Sequence, residues 1–259
     1  MQSQSSETNA NPISAPTAGF LVIGDEILSG RTKDKNIGTI AEQLTFAGID
    51  LKEVRVVCDD EAAIINAVND LRARYTYVFT SGGIGPTHDD ITADSVAAAF
   101  GVGITEREDA LALLREIISE DRLNAARRRM ARIPDGADLI TNPISKAPGF
   151  RLGNVHVLAG VPSIFQAMLD AVLPTLETGE PILSQTVDAG TRGIKEGDIA
   201  EDLGRIQNHY SNVSIGSYPG YNADGGFKLN VVVRSRDPST LKQVVSEIET
   251  AIHRLKERI

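Results

Sequence analysis

The chain has 259 residues, of which 41% are hydrophobic and 24% are charged, and its formal net charge is −9. This composition is typical of a water-soluble globular protein, and the negative charge argues against a basic nucleic-acid-binding face. The single cysteine, Cys58, excludes an intramolecular disulfide, and no stretch approaches the roughly 20 apolar residues of a membrane span. We therefore expect a cytoplasmic protein with neither nucleic acid nor membrane among its partners.

Composition also divides the chain into three parts. Residues 1–17 are rich in Ser, Gln, Asn, Thr and Pro and have no apolar core, so they are predicted to form a disordered tail rather than a signal peptide. Pro174–Pro181, with a glycine between its two prolines, predicts a boundary. We expect one domain over residues 18–178 and a smaller one over residues 179–259.

Strands and helices alternate through the first half of the chain. Apolar runs predict strands at Gly19–Ile23, Leu51–Val57 and Tyr75–Phe79, and apolar residues at helical spacing predict a helix after each of the first two. Such alternation predicts a parallel sheet with right-handed crossovers. Ligands bind such sheets at the carboxyl ends of the strands.

The stretch Thr80–Thr92 connects the third strand to a helix predicted over Asp90–Phe100. Its glycines, Gly82, Gly83 and Gly85, permit positive φ and the close approach of a ligand. Backbone N–H groups can then converge on an anion at the start of the helix. The stretch is not a Walker loop, because no Gly-Lys-Ser/Thr follows the glycines.

Acidic residues gather at the same predicted edge of the sheet. Asp25-Glu26 follows the first strand, Asp59-Asp60 follows the second, and Asp89-Asp90 follows the glycines. These carboxylates can hold a metal that binds a phosphate, whereas Asp60 is better explained as a helix cap. We take Asp89 and Asp90 as catalytic candidates, with Asp59 as a third metal ligand, and expect His88, which lies between Thr87 and Asp89, to face solvent.

The remainder of the first domain is predicted to hold a helix at Glu106–Glu120, strands at Asp138–Thr141, Ala147–Phe150 and Val155–Leu158, and a helix after Pro162. Between them, residues 122–132 contain five arginines. This segment is either a solvated helix face or a wall that steers an anionic substrate.

The smaller domain restarts the pattern in the order strand, helix, strand, strand, helix. These elements are predicted at Ile182–Val187, Gly197–Tyr210, Val213–Tyr218, Phe227–Arg234 and Leu241–Ile259. They predict a small α+β domain with its own core.

Several stretches resemble one known family when taken together and in this order. They are Gly24-Asp25-Glu26-Ile27-Leu28 with Gly30 and Asn36, residues 82–92, Pro134-Asp135-Gly136-Ala137 with Asn142, residues 147–150, residues 193–196, and Ser217-Tyr218-Pro219. The chain resembles the molybdopterin-binding family of the MoaB/MogA proteins. Within that family it is most similar to the N-terminal part of CinA (competence/damage-inducible protein A) and to the domain fused to eukaryotic FAD synthases.

The resemblance implies a fold and a set of ligand contacts. The fold is a three-layer α/β/α MogA-like domain with a mainly parallel sheet, followed by the small βαββα domain. One departure is that the family usually has Pro-Gly-Val-Pro-x-Glu where this chain has Ala159-Gly160-Val161-Pro162-Ser163-Ile164. The expected substrate-binding residues are Gly24, Asp25, Glu26, Asn36, Ser81, Gly82, Gly83, Gly85, Pro86, Thr87, Thr92, Gly160, Pro162 and Tyr218.

Three functions are compatible with this resemblance. The first is a metal-dependent pyrophosphatase for nucleotides such as ADP-ribose or FAD, using Mg, Mn or Co with or without potassium. The second is a protein that binds or adenylylates molybdopterin, and the third is a non-catalytic nucleotide-binding module. The resemblance also implies a homo-oligomer, either a dimer or a trimer.

Overall fold

The computed structural model describes residues 15–190, 193–223 and 225–257. Most of the predicted tail and the last two residues of the helix predicted over Leu241–Ile259 lie outside these ranges. The chain divides into two compact units, one ending at Gly179 and one beginning at Glu180. Within the described ranges, no helix is both long enough and apolar enough to cross a lipid bilayer.

The first unit is built on a six-stranded sheet in the order β2-β1-β3-β8-β7-β6. The pairs β1–β2, β1–β3 and β3–β8 are parallel, while β7 runs antiparallel to both of its neighbours. A separate antiparallel pair is formed by β4 and β5. The strands are β1 (Thr17–Ile23), β2 (Asp50–Val57), β3 (Tyr77–Ser81), β4 (Ile104–Glu106), β5 (Arg132–Pro134), β6 (Asp138–Ile140), β7 (Gly149–Leu152) and β8 (Val155–Leu158).

Helices cover both faces of this sheet. They are α1 (Asp25–Leu28), α2 (Asn36–Phe46), α3 (Glu61–Arg74), α4 (Thr92–Phe100), α5 (Glu108–Arg115), α6 (Ala125–Arg128) and α7 (Pro162–Val172). Side chains of α3, α4 and α5 share one buried cluster, and those of α2 and α7 share another. The predicted three-layer α/β/α architecture is therefore confirmed.

Strand β1 shows why its sequence is a continuous apolar run. Leu21 and Ile23 belong to the cluster with α3, α4 and α5, whereas Phe20 and Val22 belong to the cluster with α2 and α7. Successive side chains of a strand point to opposite faces, so a strand covered on both faces needs apolar residues at every position.

Several predicted elements have different bounds in the structure. Strand β3 begins at Tyr77 rather than Tyr75. Helix α5 starts two residues later than predicted because Glu106 pairs with Arg132 in the β4–β5 ladder, and it ends at Arg115. The arginine-rich segment is not one helix, since it consists of α6, two 3₁₀ turns and the start of β5.

The second unit has the predicted order of elements. Its antiparallel sheet runs β10-β11-β9, and residues from α8 and α9 share its buried core. Asp237 caps α9 by accepting from the backbone N–H groups of Ser239 and Thr240. The elements are β9 (Leu183–Asp188), α8 (Glu196–His209), β10 (Val213–Tyr221), β11 (Phe227–Ser235) and α9 (Pro238–Lys256).

Candidate functional site

A cavity of about 550 Å³ lies at the carboxyl ends of four parallel strands of the first unit. Gly24 follows β1, Asp59 follows β2, Gly82 follows β3 and Gly160 follows β8, and all four line the cavity. Its volume is within the range of small-molecule sites, and its place in the fold is where parallel α/β sheets bind ligands.

Short hydrogen bonds join these strand ends to one another. The N–H of Gly24 donates to the carbonyl of Val57 at 3.1 Å, and the N–H of Gly82 donates to the carbonyl of Leu158 at 3.2 Å. The N–H of Asp25 donates to Oδ2 of Asp59 at 2.9 Å. The lining residues are therefore held on a rigid frame.

The glycine-rich loop is shaped by contacts beneath it. A side chain on Gly82, where φ is +107°, would lie 2.3 Å from the carbonyl oxygen of Ile23. A side chain on Gly83, where φ is +68°, would lie 2.1 Å from Oγ1 of Thr92. Gly83 is therefore needed to let α4 pack under the loop, and the space that its missing side chain leaves belongs to Thr92 rather than to a ligand.

Three predicted ligand contacts form the layer under the cavity lining. Asn36 and Ser81 are each 2% exposed, and Thr92 is fully buried. Nδ2 of Asn36 donates to Oγ of Ser81 at 2.7 Å and to the carbonyl of Gly160 at 2.8 Å. Oγ1 of Thr92 donates to the carbonyl of Gly82 at 2.9 Å. In the free protein these side chains support the loops, and their contact with a substrate stays a prediction.

Four carboxylates line the cavity. They are contributed by Glu26, Asp59, Asp89 and Asp90. Burial raises the pKa of Asp59, and the negative charges of Asp25, Glu26 and Asp89 raise it further, against the opposing hydrogen bond from the Asp25 backbone. A group whose ionised form is disfavoured in this way gains from a bound cation.

The other acidic candidates have local partners. Oδ2 of Asp90 accepts from the N–H of Thr87 at 2.8 Å and from its hydroxyl at 2.5 Å, which closes the end of the loop. Asp60 caps α3 by accepting from the N–H of Ala63, as predicted. The side chain of His88 is 99% exposed, also as predicted.

The carboxylates of the cavity meet only part of what a metal ion requires. Within the described ranges, no three His, Cys, Asp or Glu side chains come close enough together to hold an ion by themselves. Mg²⁺ is commonly held by one or two carboxylates together with substrate phosphates and water. The carboxylates of Asp59, Asp89 and Asp90 are hard oxygen donors of this kind, so one or two of them fit a cation that a phosphate helps to bind.

Part of the cavity lining is apolar, which the sequence did not reveal. Met130 comes from the arginine-rich segment, Ala147 precedes β7, and Ile164 stands where the family usually has a carboxylate. Asn142, which also lines the cavity, builds the neighbouring turn by accepting from the N–H groups of Ile144 and Ser145. No periodicity could have assigned these residues to the site, since they come from segments far apart in the chain.

Tyr218 belongs to the second unit. It lies on β10, its side chain packs against the backbone of Gly216, and it is 50% exposed. Its proposed contact with a substrate stays a prediction.

The parallel sheet with a glycine-rich loop at its carboxyl edge defines the chain as an α/β protein of the MogA/MoaB-like fold. Residues 19–178 match the family described as "Probable molybdopterin binding domain", and residues 182–256 match "FAD synthase, middle domain". The chain belongs to the CinA-like branch of this molybdopterin-binding family.

Individual relatives agree with this assignment. A CinA-like protein of Syntrophus aciditrophicus is 32% identical over 252 residues, which are 93% of this chain but 59% of that protein. A protein of Aeropyrum pernix is 32% identical over 250 residues, covering 93% of this chain and 92% of that protein. The crystal structure of the protein CinA from Thermoplasma acidophilum matches with a TM-score of 0.59 and 35% identity, over 62% of this chain and 98% of that one.

Proposed function

We propose that this protein is a metal-dependent nucleotide pyrophosphatase that acts on an ADP-containing substrate of the ADP-ribose or FAD class. The observation that carries the proposal is the chemical character of the cavity. A glycine-rich loop and four carboxylates line it, whereas its described lining contains no Lys, Arg or His. Phosphates are repelled by carboxylates unless a cation lies between them, so this cavity suits a phosphate only together with a metal ion.

The candidate ligands of the cation are Asp59, Asp89 and Asp90, of which one or two would hold it together with the substrate phosphates. Mg, Mn or Co suits their oxygen donors, and potassium is a further candidate for neutralising the phosphates. Such a cation supplies charge neutralisation at the phosphates and activation of a water molecule.

The chain's own groups bind and orient the substrate. The backbone N–H groups of Gly83, Ile84 and Gly85 can donate to phosphate oxygens, helped by the N-terminus of α4. The apolar wall that includes Met130 and Ile164 offers a surface for a flat ring. In the hydrolysis, water attacks one phosphorus atom, the bridging P–O bond breaks, two monophosphates leave and a proton passes to solvent. For ADP-ribose the products are AMP and ribose 5-phosphate.

The test is a hydrolysis screen of ADP-ribose, FAD and NAD with Mg, Mn or Co, in the presence and absence of potassium. Products are separated by ion-exchange chromatography. We expect monophosphates from at least one substrate, and a large loss of turnover in Asp90→Asn and Asp89→Asn. Asp121→Asn is the matched control because this residue is exposed and lies outside the cavity lining. Wild-type turnover in both loop variants would overturn the assignment of the catalytic residues.

A second candidate function is the binding or adenylylation of molybdopterin. It is favoured by the match of residues 19–178 to the molybdopterin-binding family. Pterin that copurifies with the protein, detected by fluorescence after oxidation, would support it. Nucleotide binding without turnover for any metal would instead identify a non-catalytic binding module.

The assembly and location of the protein complete the proposal. We propose a cytoplasmic homo-oligomer, either a dimer or a trimer, and light scattering of the purified protein measures its mass directly.

A further inference from the structure

The arginine-rich segment separates into residues with different partners. Arg128 pairs with Glu106 at 2.6 Å, away from the cavity. Arg132 binds the carboxylate of Asp94 through two hydrogen bonds, of 2.9 and 2.5 Å. Arg129 also reaches Asp94, at 3.4 Å, and in addition it contacts the glycine-rich loop. The segment is thus not one solvated helix face, and none of its arginines lines the large cavity, although its Met130 does.

Arg129 contacts the loop at the residue assigned to the metal and the phosphate. Its Nη2 atom donates to the backbone carbonyl of Asp90 at 3.0 Å. On the other side, the carboxylate of Asp90 accepts two hydrogen bonds from Thr87. Asp90 is therefore fixed at two points: Arg129 binds its backbone carbonyl, and Thr87 binds its carboxylate.

A small space with both polar and apolar lining lies behind the loop. A cavity of about 20 Å³ is lined by loop residues that include Gly83 and Gly85, and by Arg129 and Asp94. Nε of Arg129 is buried there and has no hydrogen-bond partner among the described groups. A space of this size holds one water molecule, and a buried guanidinium N–H needs such an acceptor.

Charge adds to this arrangement. Two guanidinium groups, of Arg129 and Arg132, share the single carboxylate of Asp94, and their side chains are 28% and 29% exposed. The three groups together carry a charge of +1 behind a loop that faces four carboxylates. A rigid guanidinium fork can hold a carboxylate and a carbonyl at fixed angles, which the single ammonium of a lysine cannot do.

We infer that Arg129 is a positioning residue that fixes the end of the glycine-rich loop through the Asp90 carbonyl, and so places the Asp90 carboxylate for a cation-bound phosphate. The kinetic part of this inference rests on the proposed pyrophosphatase function. The structural part concerns the order of the loop and does not depend on any activity.

Arg132 offers a matched control for Arg129. Arg129→Gln and Arg132→Gln each remove one guanidinium from Asp94 at nearly equal exposure, but only the first removes the contact with the loop. Hydrogen exchange of the free, full-length protein is measured at the amides of residues 83–91. We expect about tenfold faster exchange in Arg129→Gln and wild-type exchange in Arg132→Gln. Equal exchange in the two variants would overturn the inference.

Steady-state kinetics on the nucleotide found in the hydrolysis screen give the second readout. We expect kcat to fall about 10-fold to 100-fold in Arg129→Gln, because a loop displaced by an ångström misplaces the carboxylate, with a smaller rise in KM. Arg129→Lys should recover KM, because it restores the charge, but not kcat. Equal recovery of both parameters would show that only the charge matters and would overturn the positioning role.

The two readouts also separate this inference from the proposed function. If the wild-type protein hydrolyses no nucleotide, the pyrophosphatase proposal fails, and the exchange comparison still decides the role of Arg129. If Arg129→Gln does not fold, Arg129→Lys replaces it in the exchange measurement, with faster exchange than Arg132→Lys as the expected result.

Discussion

The hydroxyl of Thr92 donates to the carbonyl of Gly82 at 2.9 Å, and its oxygen lies where a side chain on Gly83 would have to be. The N–H of Thr92 also donates to the carbonyl of Gly83 at 3.0 Å. The first residue of α4 thereby locks the glycine-rich loop from below. Substitution of Gly83 should consequently act on folding first, and on ligand binding only through the shape of the loop.

Gly83→Ala is expected to destabilise the protein by about 2–4 kcal/mol, from the positive φ together with the collision with Thr92. Gly30→Ala is the matched control, because Gly30 has a similar φ of +73° but no atom within 4 Å of an added side chain. The control should lose only about 1 kcal/mol. Urea unfolding measures both values, and equal losses would show that the contact with Thr92 does not constrain the loop.

Asp59→Asn is expected to preserve or raise stability in the absence of metal, by up to about 1 kcal/mol, the size of one like-charge interaction near water. The amide oxygen can still accept from the N–H of Asp25, while a charge is removed from a group of carboxylates. We expect Mn²⁺ to raise the Tm of the wild type, and the same variant should lose this rise. Thermal melts with EDTA or with Mn²⁺ check both effects, and Asp121→Asn is the control. If Asp59→Asn responds to Mn²⁺ as strongly as the wild type, Asp59 is not one of the metal ligands.

The fold of this chain could be predicted from its sequence because the signals for it are local. The apolar run Gly19–Ile23 indicates a strand covered on both faces, and Gly48 and Gly101 follow the helices that they end. The edge of the sheet where ligands bind then follows from the topology of parallel strands.

The roles of individual site residues were harder to predict. Asn36, Ser81 and Thr92 have side chains that could donate to a phosphate, but the same groups can equally donate to a backbone carbonyl, and here two of them do. Arg129 lies 39 residues from Asp90, and no spacing in the sequence indicates their contact. Residue type restricts what a side chain can bond to, whereas its partner is decided by the tertiary fold.

His156 is expected to make stability depend on pH. It is 2% exposed, and its ring stacks on Phe79 at 5.1 Å. Burial lowers its pKa to about 4, helped by the charge of Arg151 on the neighbouring strand, while the carbonyls of Val78 and Asn154 oppose the shift. The imidazole of His156 binds a proton near pH 6.5 in the unfolded chain, but only near pH 4 in the folded chain. Unfolding therefore takes up a proton between these values, and stability falls as the pH falls, by up to about 3 kcal/mol.

The measurement is urea unfolding at several values between pH 7.5 and pH 4. His156→Leu should remove most of the loss that the wild type shows below pH 6.5, whatever its effect at pH 7.5. His88→Gln is the control, because that side chain is almost fully exposed and its removal should leave the pH dependence unchanged. An unaltered slope in His156→Leu would mean that carboxylates alone cause the loss of stability.

Tyr218 is expected to contribute to substrate affinity rather than to the chemical step. Its half-exposed ring lies against Gly216 on β10, and such a fixed, accessible aromatic ring can stack on a flat base. Tyr218→Ala should raise KM by about 5-fold to 100-fold, corresponding to roughly 1–3 kcal/mol for one stacked base, with little change in kcat.

Tyr218→Phe keeps the ring and should behave as the wild type. Tyr221→Ala removes a nearby tyrosine that is 78% exposed and serves as the control. An unchanged KM in Tyr218→Ala would show that this face of the second unit does not touch the nucleotide, and a fall in kcat alone would assign Tyr218 to the reaction itself.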